Sequence, residues 1–232
     1  MDLLNFSVVA EYYPTLLKGF AVTIGMTLVV ITLSLTLAIP VALGRMSENF
    51  LIRFISGVYV EVLRGTPLVL QLVYLYFVLP GVGIRLNGLT AAMLALTLHY
   101  TAYLSEVYRA GILSVPKGQF QAYAALGMSR QQGFIRIILP QAIRTVTPAL
   151  GNYFISLFKD TALASVVTVQ ELLFSGQIIA ARSYQYFTIY TVCMIMYFSV
   201  GYPAAIFVRK LEARISRGYA GTKKRRAKGG RI

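Results

Sequence analysis

The sequence has few of the side chains that build catalytic or metal sites. It contains one cysteine, one histidine and only 8 acidic residues among 232. The lone Cys193 offers neither a disulfide pair nor a metal cluster, and is expected to be a small buried hydrophobe. A single histidine without paired intramembrane carboxylates argues against an intramembrane enzyme. No G-x-x-x-x-G-K-[ST] phosphate loop is present, so the chain is not itself an ATPase.

Charged residues are also scarce. They make up 13% of the chain and hydrophobic residues make up 57%, whereas a soluble domain is about 25% charged. This composition indicates a bilayer as the solvent. The net charge of +14 would suggest nucleic acid if the protein were soluble. Here the basic residues lie beside long apolar runs, so we predict an all-α integral membrane protein with no nucleic-acid partner.

Five apolar runs are candidates for membrane-spanning helices. About 20 residues cross a hydrocarbon core of roughly 30 Å. Three runs carry no charge, and a fourth qualifies if His99 is neutral. Lys159 and Asp160 interrupt the fifth. The runs cover residues 19–44, 65–84, 86–105, 145–170 and 183–208.

Positive charge sets the predicted topology. With five spans and the basic C-terminal tail in the cytoplasm, only Lys18, Arg85, Lys159 and Arg182 among 22 basic residues lie outside. A four-span arrangement would expose many more, against the positive-inside rule. We therefore predict an outside N-terminus and an inside C-terminus. The expected organisation is an outside segment over 1–18, a transmembrane domain over 19–210, and a disordered basic tail over 211–232 that contacts anionic lipid.

Two short helices separated by a glycine corner are predicted in the large cytoplasmic loop. Ser114 is expected to cap the first helix. Gly127 would end it, because glycine adopts the left-handed conformation without a Cβ clash. The spacing of Ser129 and Gln132 predicts a capping box at the start of the second helix. Pro140 is then expected to bend the chain into the bilayer, which makes the loop a lever attached to a span.

This loop resembles the EAA loop of ABC importer permeases, whose pattern is E-A-A, three residues, Gly, nine residues, I-x-L-P. Gln121 and Tyr123 replace the first and third letters of that pattern. The matching residues are Gln121, Ala122, Tyr123, Gly127, Ile137, Leu139 and Pro140. Segments 61–68, 109–119, 125–129, 139–142 and 159–161 are similar to permeases for polar amino acids such as histidine, arginine and glutamine. The resemblance covers about residues 19–217.

The resemblance implies the permease subunit of a type I ABC importer, with the five-helix fold of methionine-importer permeases, in a bacterial cytoplasmic membrane. Its partners would be a second permease copy or paralogue, a pair of ATPase subunits and an outside solute-binding protein. ATP and Mg²⁺ would bind to the ATPase, and this chain would bind no cofactor. The ATPase would contact the loop over 114–140, at Gly118, Gln119, Gln121, Ala122, Tyr123, Gly127, Leu139 and Pro140.

The resemblance leaves the solute open. It favours a polar amino acid or a related zwitterion, and an opine-like or ectoine-like compound fits the same machinery. A passive channel is the remaining alternative, although it has no need for a projecting cytoplasmic loop. Whether the two permeases are identical is not determined by the sequence.

Five charged or polar residues are candidates for the substrate pathway or its gate. Glu61 and Arg64 are three residues apart and share a helix face, so they form either a local ion pair or part of an inner gate. Asp160 and Asn152 either line the pathway, with Asp160 meeting the amino group of a ligand, or make hydrogen bonds between helices. Lys159 is expected to extend outward to the membrane surface.

Overall fold

The computed structural model describes residues 6–229, with the side chains of residues 7–215. Between these limits the chain is helical, with short connections. The main helices are α1 (Phe6–Arg45), α2 (Phe50–Gly65), α3 (Leu68–Val73), α4 (Gly88–Leu113), α5 (Lys117–Ala125), α6 (Arg130–Gly133), α7 (Leu139–Asp160), α8 (Leu172–Ser183) and α9 (Tyr186–Gly229). A π-helical turn (Tyr74–Val78) and a 3-10 turn (Leu79–Val82) extend α3, a second π turn (Phe134–Ile138) joins α6 to α7, and a 3-10 turn (Thr161–Val167) follows α7.

The first helix is the central packing element. Its 40 residues pack along α4 and also contact α7 and α8. The main core cluster includes Val30 of α1 and Leu96 of α4, each 0% exposed. Residues 6–18, predicted as an outside segment, are the first turns of this same helix.

A sharp corner separates α2 from α3. The two helices meet at 106°. Pro67 disfavours the helical conformation of the residue before it, and Thr66 accordingly adopts an extended backbone with φ −116° and ψ 143°. The sequence predicted one span over residues 65–84 and did not predict α2 as a helix.

A second corner lies between the 3-10 turn and α8. The helical segment from Arg130 to Val167 continues past Pro140 and meets α8 at 51°. The helical segment is therefore unbroken at Pro140, where a bend was predicted. The π turn before it sends the Leu139 N–H to the Phe134 carbonyl, and a proline near the start of a helix has no N–H to leave unpaired.

Two helical stretches, Ser7–Arg45 and Tyr186–Ile215, are each long and apolar enough to cross a membrane, and the number rises to four if each bent pair is one span. The 26-residue α4 is long enough but carries polar residues such as Glu106 and Arg109. At the other end, α9 continues to Gly229, where a disordered tail was predicted. Lysine, arginine and alanine favour helix, and an existing helix extends without a new nucleus.

Candidate functional site

The loop that carries α5 and α6 begins where α4 ends. Ser114 was predicted to cap α5, but its N–H bonds to the Ala110 carbonyl and its hydroxyl bonds to the Gly111 carbonyl at 2.7 Å. Ser114 therefore belongs to the end of α4. Pro116 is the residue before α5, and no side chain caps that helix.

The glycine corner between α5 and α6 has the predicted geometry. Gly127 has φ +68°. The Gly127 N–H bonds to Ala124 O at 3.0 Å and the Met128 N–H bonds to Tyr123 O at 3.1 Å. This pair of bonds is a Schellman motif, which satisfies the last carbonyls of a helix and requires a left-handed residue. The capping box of Ser129 and Gln132 is also present.

One side of α5 packs against the segment that leads into α7. Phe120 and Tyr123 pack with Phe134 and Ile137 against a small buried cluster. The Tyr123 ring lies over Gly133, where an added Cβ would overlap the ring. The aromatic residue that departs from the family pattern therefore has a structural role, because it covers a glycine of α6.

The opposite side of α5 is uncovered. Its exposed residues follow a helical stripe, and most have small side chains. The side chain after the helix, Leu126, is apolar and 74% exposed. The stripe consists of Lys117, Gly118, Gln121, Ala122, Ala124 and Ala125. A small-residue face on a projecting helix allows another protein to approach its backbone closely.

The remaining predicted loop residues connect α5 to α7. The Gln141 side-chain amide donates to Gln119 Oε1 at 3.4 Å and to the Ile137 backbone carbonyl at 2.8 Å. Leu139 is half-buried and Pro140 is exposed. Gln119 therefore joins the helix to the span, and its side chain is not on the uncovered stripe.

A cluster of four charges joins three helices near the end of α1. Glu106 accepts two hydrogen bonds from Arg109 Nε and Nη2, the shorter at 2.7 Å, and a third from Arg45 Nε at 3.1 Å. Arg45 also pairs with Glu61 at 3.6 Å. The Arg45 guanidinium passes beside Gly57, where a Cβ would lie 2.9 Å from Nη1. The absence of a side chain at Gly57 thus leaves room for the Arg45 side chain to lie along α2.

Glu61 and Arg64 do not form the local ion pair that was one of their two predicted alternatives. Glu61 is mostly exposed and pairs with Arg45 from α1. Arg64 lies with its Cζ 5.2 Å from the ring centroid of Tyr103 on α4. The two residues are three positions apart on one helix, but each interacts with a residue of a neighbouring helix instead.

A second polar cluster lies among α2, α3, α4 and α7, beside the middle of α4. Tyr100 donates a hydrogen bond of 2.6 Å to Asp160 Oδ2. His99 Nδ1 lies 3.2 Å from the Gln71 side-chain oxygen. The rings of Tyr100, Tyr103 and Tyr153 are in contact. The aromatic cluster therefore connects Arg64 at one end to Asp160 at the other.

An apolar groove borders this cluster. It has a volume of about 330 Å³, and it lies between α2, α3 and α4. Leu63, Leu70 and Ala95 line it, with Gln71 on its wall. The groove is large enough for a small solute and is adjacent to the polar groups.

The structure brings together only some of the predicted pathway residues. Asp160 is half-buried and makes the interhelical hydrogen bond that was one of its two predicted alternatives. Asn152 is exposed, and its neighbour Tyr153 is the residue that contacts Tyr100. Lys159 is also exposed. Within residues 7–215, no group of three potential metal ligands is close enough to hold an ion.

Two important residues were not identified from the sequence. Arg45 bonds to Glu106, 61 positions away, and no local spacing indicates that pairing. Glu171 is completely buried, and the predicted span over residues 145–170 ended one residue before it. An acid between apolar runs is itself a signal for function within a membrane protein, and that signal was available.

Comparison with known proteins places this architecture in a family. Residues 31–217 match the family of binding-protein-dependent transport system inner membrane components. The chain belongs to this family of membrane permeases.

Curated relatives align along nearly the whole chain. The L-cystine transport system permease protein TcyB of Bacillus subtilis is 39% identical over 208 residues, which are 89% of each chain. The probable glutamine ABC transporter permease protein GlnM of the same organism is 33% identical over 93% of this chain and 100% of that one. This chain is thus similar to amino-acid ABC permeases.

Solved structures show the same fold. A crystal structure of an amino acid ABC transporter with histidines matches with a TM-score of 0.86 at 33% identity, covering 91% of this chain and 99% of that chain. The inward-facing MetNI methionine ABC transporter matches with a TM-score of 0.68 at 20% identity, covering 87% and 98%. The fold is that of type I ABC permeases, as predicted.

Proposed function

We propose that the chain forms the translocation pathway of an ATP-driven importer for a polar amino acid or a related small zwitterion. The observation that carries this proposal is the loop of α5 and α6, which ends one span and begins the next. Its inner side is packed against α7 and its outer side is uncovered. That geometry suits a partner that pushes on the loop, and a passive channel has no use for it.

Charge on the loop and tail supports five spans with the N-terminus outside. Such an arrangement puts α5, α6 and the basic end of α9 in the cytoplasm of a bacterial cell, next to the inner membrane. Counted in this way, α1, the α2–α3 pair, α4, the segment from α7 to α8, and α9 each cross once.

ATP hydrolysis in this proposal belongs to a separate pair of ATPase subunits, which bind ATP and Mg²⁺ and seat α5 in a surface groove. Gln121 replaces the usual acid of the loop pattern, so its contact with the ATPase is by hydrogen bonding. A second permease completes the pathway, and an outside solute-binding protein delivers the solute. ATP-driven closure of the ATPase pair then moves α5 as a lever and opens the pathway outward.

The polar cluster supplies the chemistry for a zwitterion. Asp160 provides a negative charge for an amino group, and Arg64 provides a positive charge for a carboxylate. Tyr100, Tyr103 and Tyr153 lie between them and present both rings and hydroxyls. A carboxylate at one end of this surface and a guanidinium at the other favour a charged or polar solute over an apolar one.

Co-purification tests the coupling assignment. The chain, tagged and extracted gently from its native membrane, is expected to bring down a P-loop ATPase. Ala122→Arg places a long charged side chain on the uncovered stripe and should release the ATPase, while Ala122→Ser keeps the size and should retain it. Equal recovery of the ATPase with Ala122→Arg would refute the assignment of this face.

A further inference from the structure

The most completely buried charged side chain within residues 7–215 is Glu171, which is 0% exposed. It lies between the 3-10 turn after α7 and the first turn of α8. The N–H groups of Leu173 and Phe174 donate to its carboxylate at 2.9 and 2.7 Å. A carboxylate at this position satisfies the free N–H groups at the start of a 12-residue helix.

Glu171 does more than cap α8, because two other helices reach it. The Tyr197 hydroxyl of α9 donates to Glu171 Oε2 at 2.7 Å. The Thr23 hydroxyl of α1 lies 3.3 Å from the same oxygen and accepts from the Leu172 N–H at 3.2 Å. A helix cap needs only its own backbone donors. The Tyr197 donor and the adjacent Thr23 hydroxyl make this carboxylate a junction of α1, α8 and α9.

The close approach of α1 to this junction depends on Gly19. A Cβ at that position would lie 2.6 Å from Ser175 Oγ and 2.9 Å from the Glu171 carbonyl oxygen. These distances are shorter than normal contacts, so a side chain at Gly19 would push α1 away from α8. The junction is therefore built from backbone approach as well as from side chains.

A path of contacts runs from this junction to Asp160. The ring of Tyr197 packs against Phe158 with centroids 5.4 Å apart and an interplanar angle of 61°. Phe158 is 2% exposed and is two residues before Asp160, at the end of α7. Tyr197 thus contacts Glu171 with its hydroxyl and the end of α7 with its ring.

We propose that Glu171 is a positioning residue for substrate binding. Its carboxylate orients the Tyr197 hydroxyl, the Tyr197 ring fixes Phe158, and Phe158 sets the position of Asp160 opposite the substrate amino group. This inference rests on the proposed function, in which Asp160 contacts the solute. Loss of the junction displaces Asp160 and weakens binding through that residue alone.

A double-mutant cycle tests the proposal. The purified permease complex is assayed for equilibrium binding of radiolabelled cystine, glutamine and arginine, and the amino acid bound most tightly is used for all variants. Tyr197→Phe keeps the ring on Phe158 but removes the hydroxyl donor. It is expected to raise the Kd at least about tenfold, the effect of one hydrogen bond to a carboxylate. Glu171→Gln is expected to act in the same direction.

The decisive comparison is made in the Asp160→Asn background. There, neither Tyr197→Phe nor Glu171→Gln should raise the Kd further, because the group that they position is already lost. A purely structural role would raise the Kd by the same factor in both backgrounds and would overturn the proposal. Tyr202→Phe, an exposed tyrosine stacked on Phe198 of the same helix, is the matched control and should leave the Kd unchanged.

The cycle also separates this inference from the function on which it rests. If Asp160→Asn raises the Kd while Tyr197→Phe does not, the positioning role of Glu171 is wrong and the pathway stands. If Asp160→Asn leaves the Kd unchanged, the assignment of Asp160 to the pathway fails as well. Should Glu171→Gln prevent assembly of the complex, Tyr197→Phe alone decides, since it removes a single hydroxyl.

Discussion

Gly133→Ala is expected to displace the Tyr123 ring and to loosen the packing of α5 against α6. Gly133 is buried at the end of α6, and its added Cβ would overlap ring atoms of Tyr123, including Cγ. Because Cγ is the root of the ring, a small rotation of the side chain does not relieve the overlap. The ring must leave its position on α6.

The magnitude follows from two opposing terms. A half-buried tyrosine that loses its place exposes about 100 Å² of apolar surface, which costs about 2 kcal/mol. Replacing a helical glycine by alanine returns about 1 kcal/mol. The net loss of about 1 kcal/mol corresponds to a roughly fivefold increase in the population of the undocked loop.

Hydrogen–deuterium exchange of the peptide covering residues 117–133 measures this population directly. Gly133→Ala should raise its exchange rate about fivefold, in proportion to that 1 kcal/mol. In the Tyr123→Ala background no ring overlaps the added Cβ. There Gly133→Ala should slow exchange, because alanine favours helix more than glycine does. Gly25→Ala, at an exposed helical glycine with open space around it, is the control and should leave this peptide unaffected. An effect of the same sign in both backgrounds would show that the Tyr123 ring does not oppose the added Cβ.

Two further substitutions test the corners of the fold. Gly127→Val forces a β-branched residue to φ +68°, at a cost of at least about 1–2 kcal/mol, and should leave ATP hydrolysis by the complex running with reduced uptake. Gly127→Asn, which tolerates this conformation better, should preserve most uptake, and equal coupling in both variants would contradict the lever role. Gly88→Ala places a Cβ against the Val167 carbonyl oxygen, and should lower the stability of the purified protein by about 1–3 kcal/mol. An unchanged thermal midpoint would show that α4 and the 3-10 turn separate freely.

Local signals in the sequence were sufficient for the glycine corner. Gly127 and the Ser129–Gln132 box are determined by conformations and hydrogen bonds within a few residues, and both are present as predicted. Ser114 shows the limit of the same reasoning. Its residue type suits a cap, but its backbone still belongs to α4, and its hydroxyl is used by that helix.

Contacts between distant segments were not accessible in this way. Glu61 and Arg64 have the spacing of an ion pair, yet Arg45 and Tyr103 from other helices offer better partners. The sequence correctly marked Asp160 as a polar residue to be paired, but did not identify Tyr100 as its donor. Pairing across helices depends on their relative rotation, which hydropathy does not determine.

The apolar runs predicted where the chain is hydrophobic but not where its helices begin and end. A hydropathy run stops at a charge, whereas a helix continues past a charge that has a partner or reaches solvent. Lys18 lies inside α1 for this reason. Conversely, hydropathy does not show where a helix breaks inside an apolar run. The break at Thr66 depends on the proline that follows it, and the break at Thr168 depends on a left-handed backbone with φ +62°.

ATP dependence of uptake distinguishes an ATP-driven importer from a passive channel. The complex recovered with the tagged chain would be reconstituted into proteoliposomes together with its solute-binding protein, and radiolabelled amino acid followed across the bilayer. We expect the amino acid to accumulate against a gradient with ATP, and we expect accumulation to stop with a non-hydrolysable analogue. Equilibration of the label at the same rate without ATP would contradict it and would identify the chain as a passive channel.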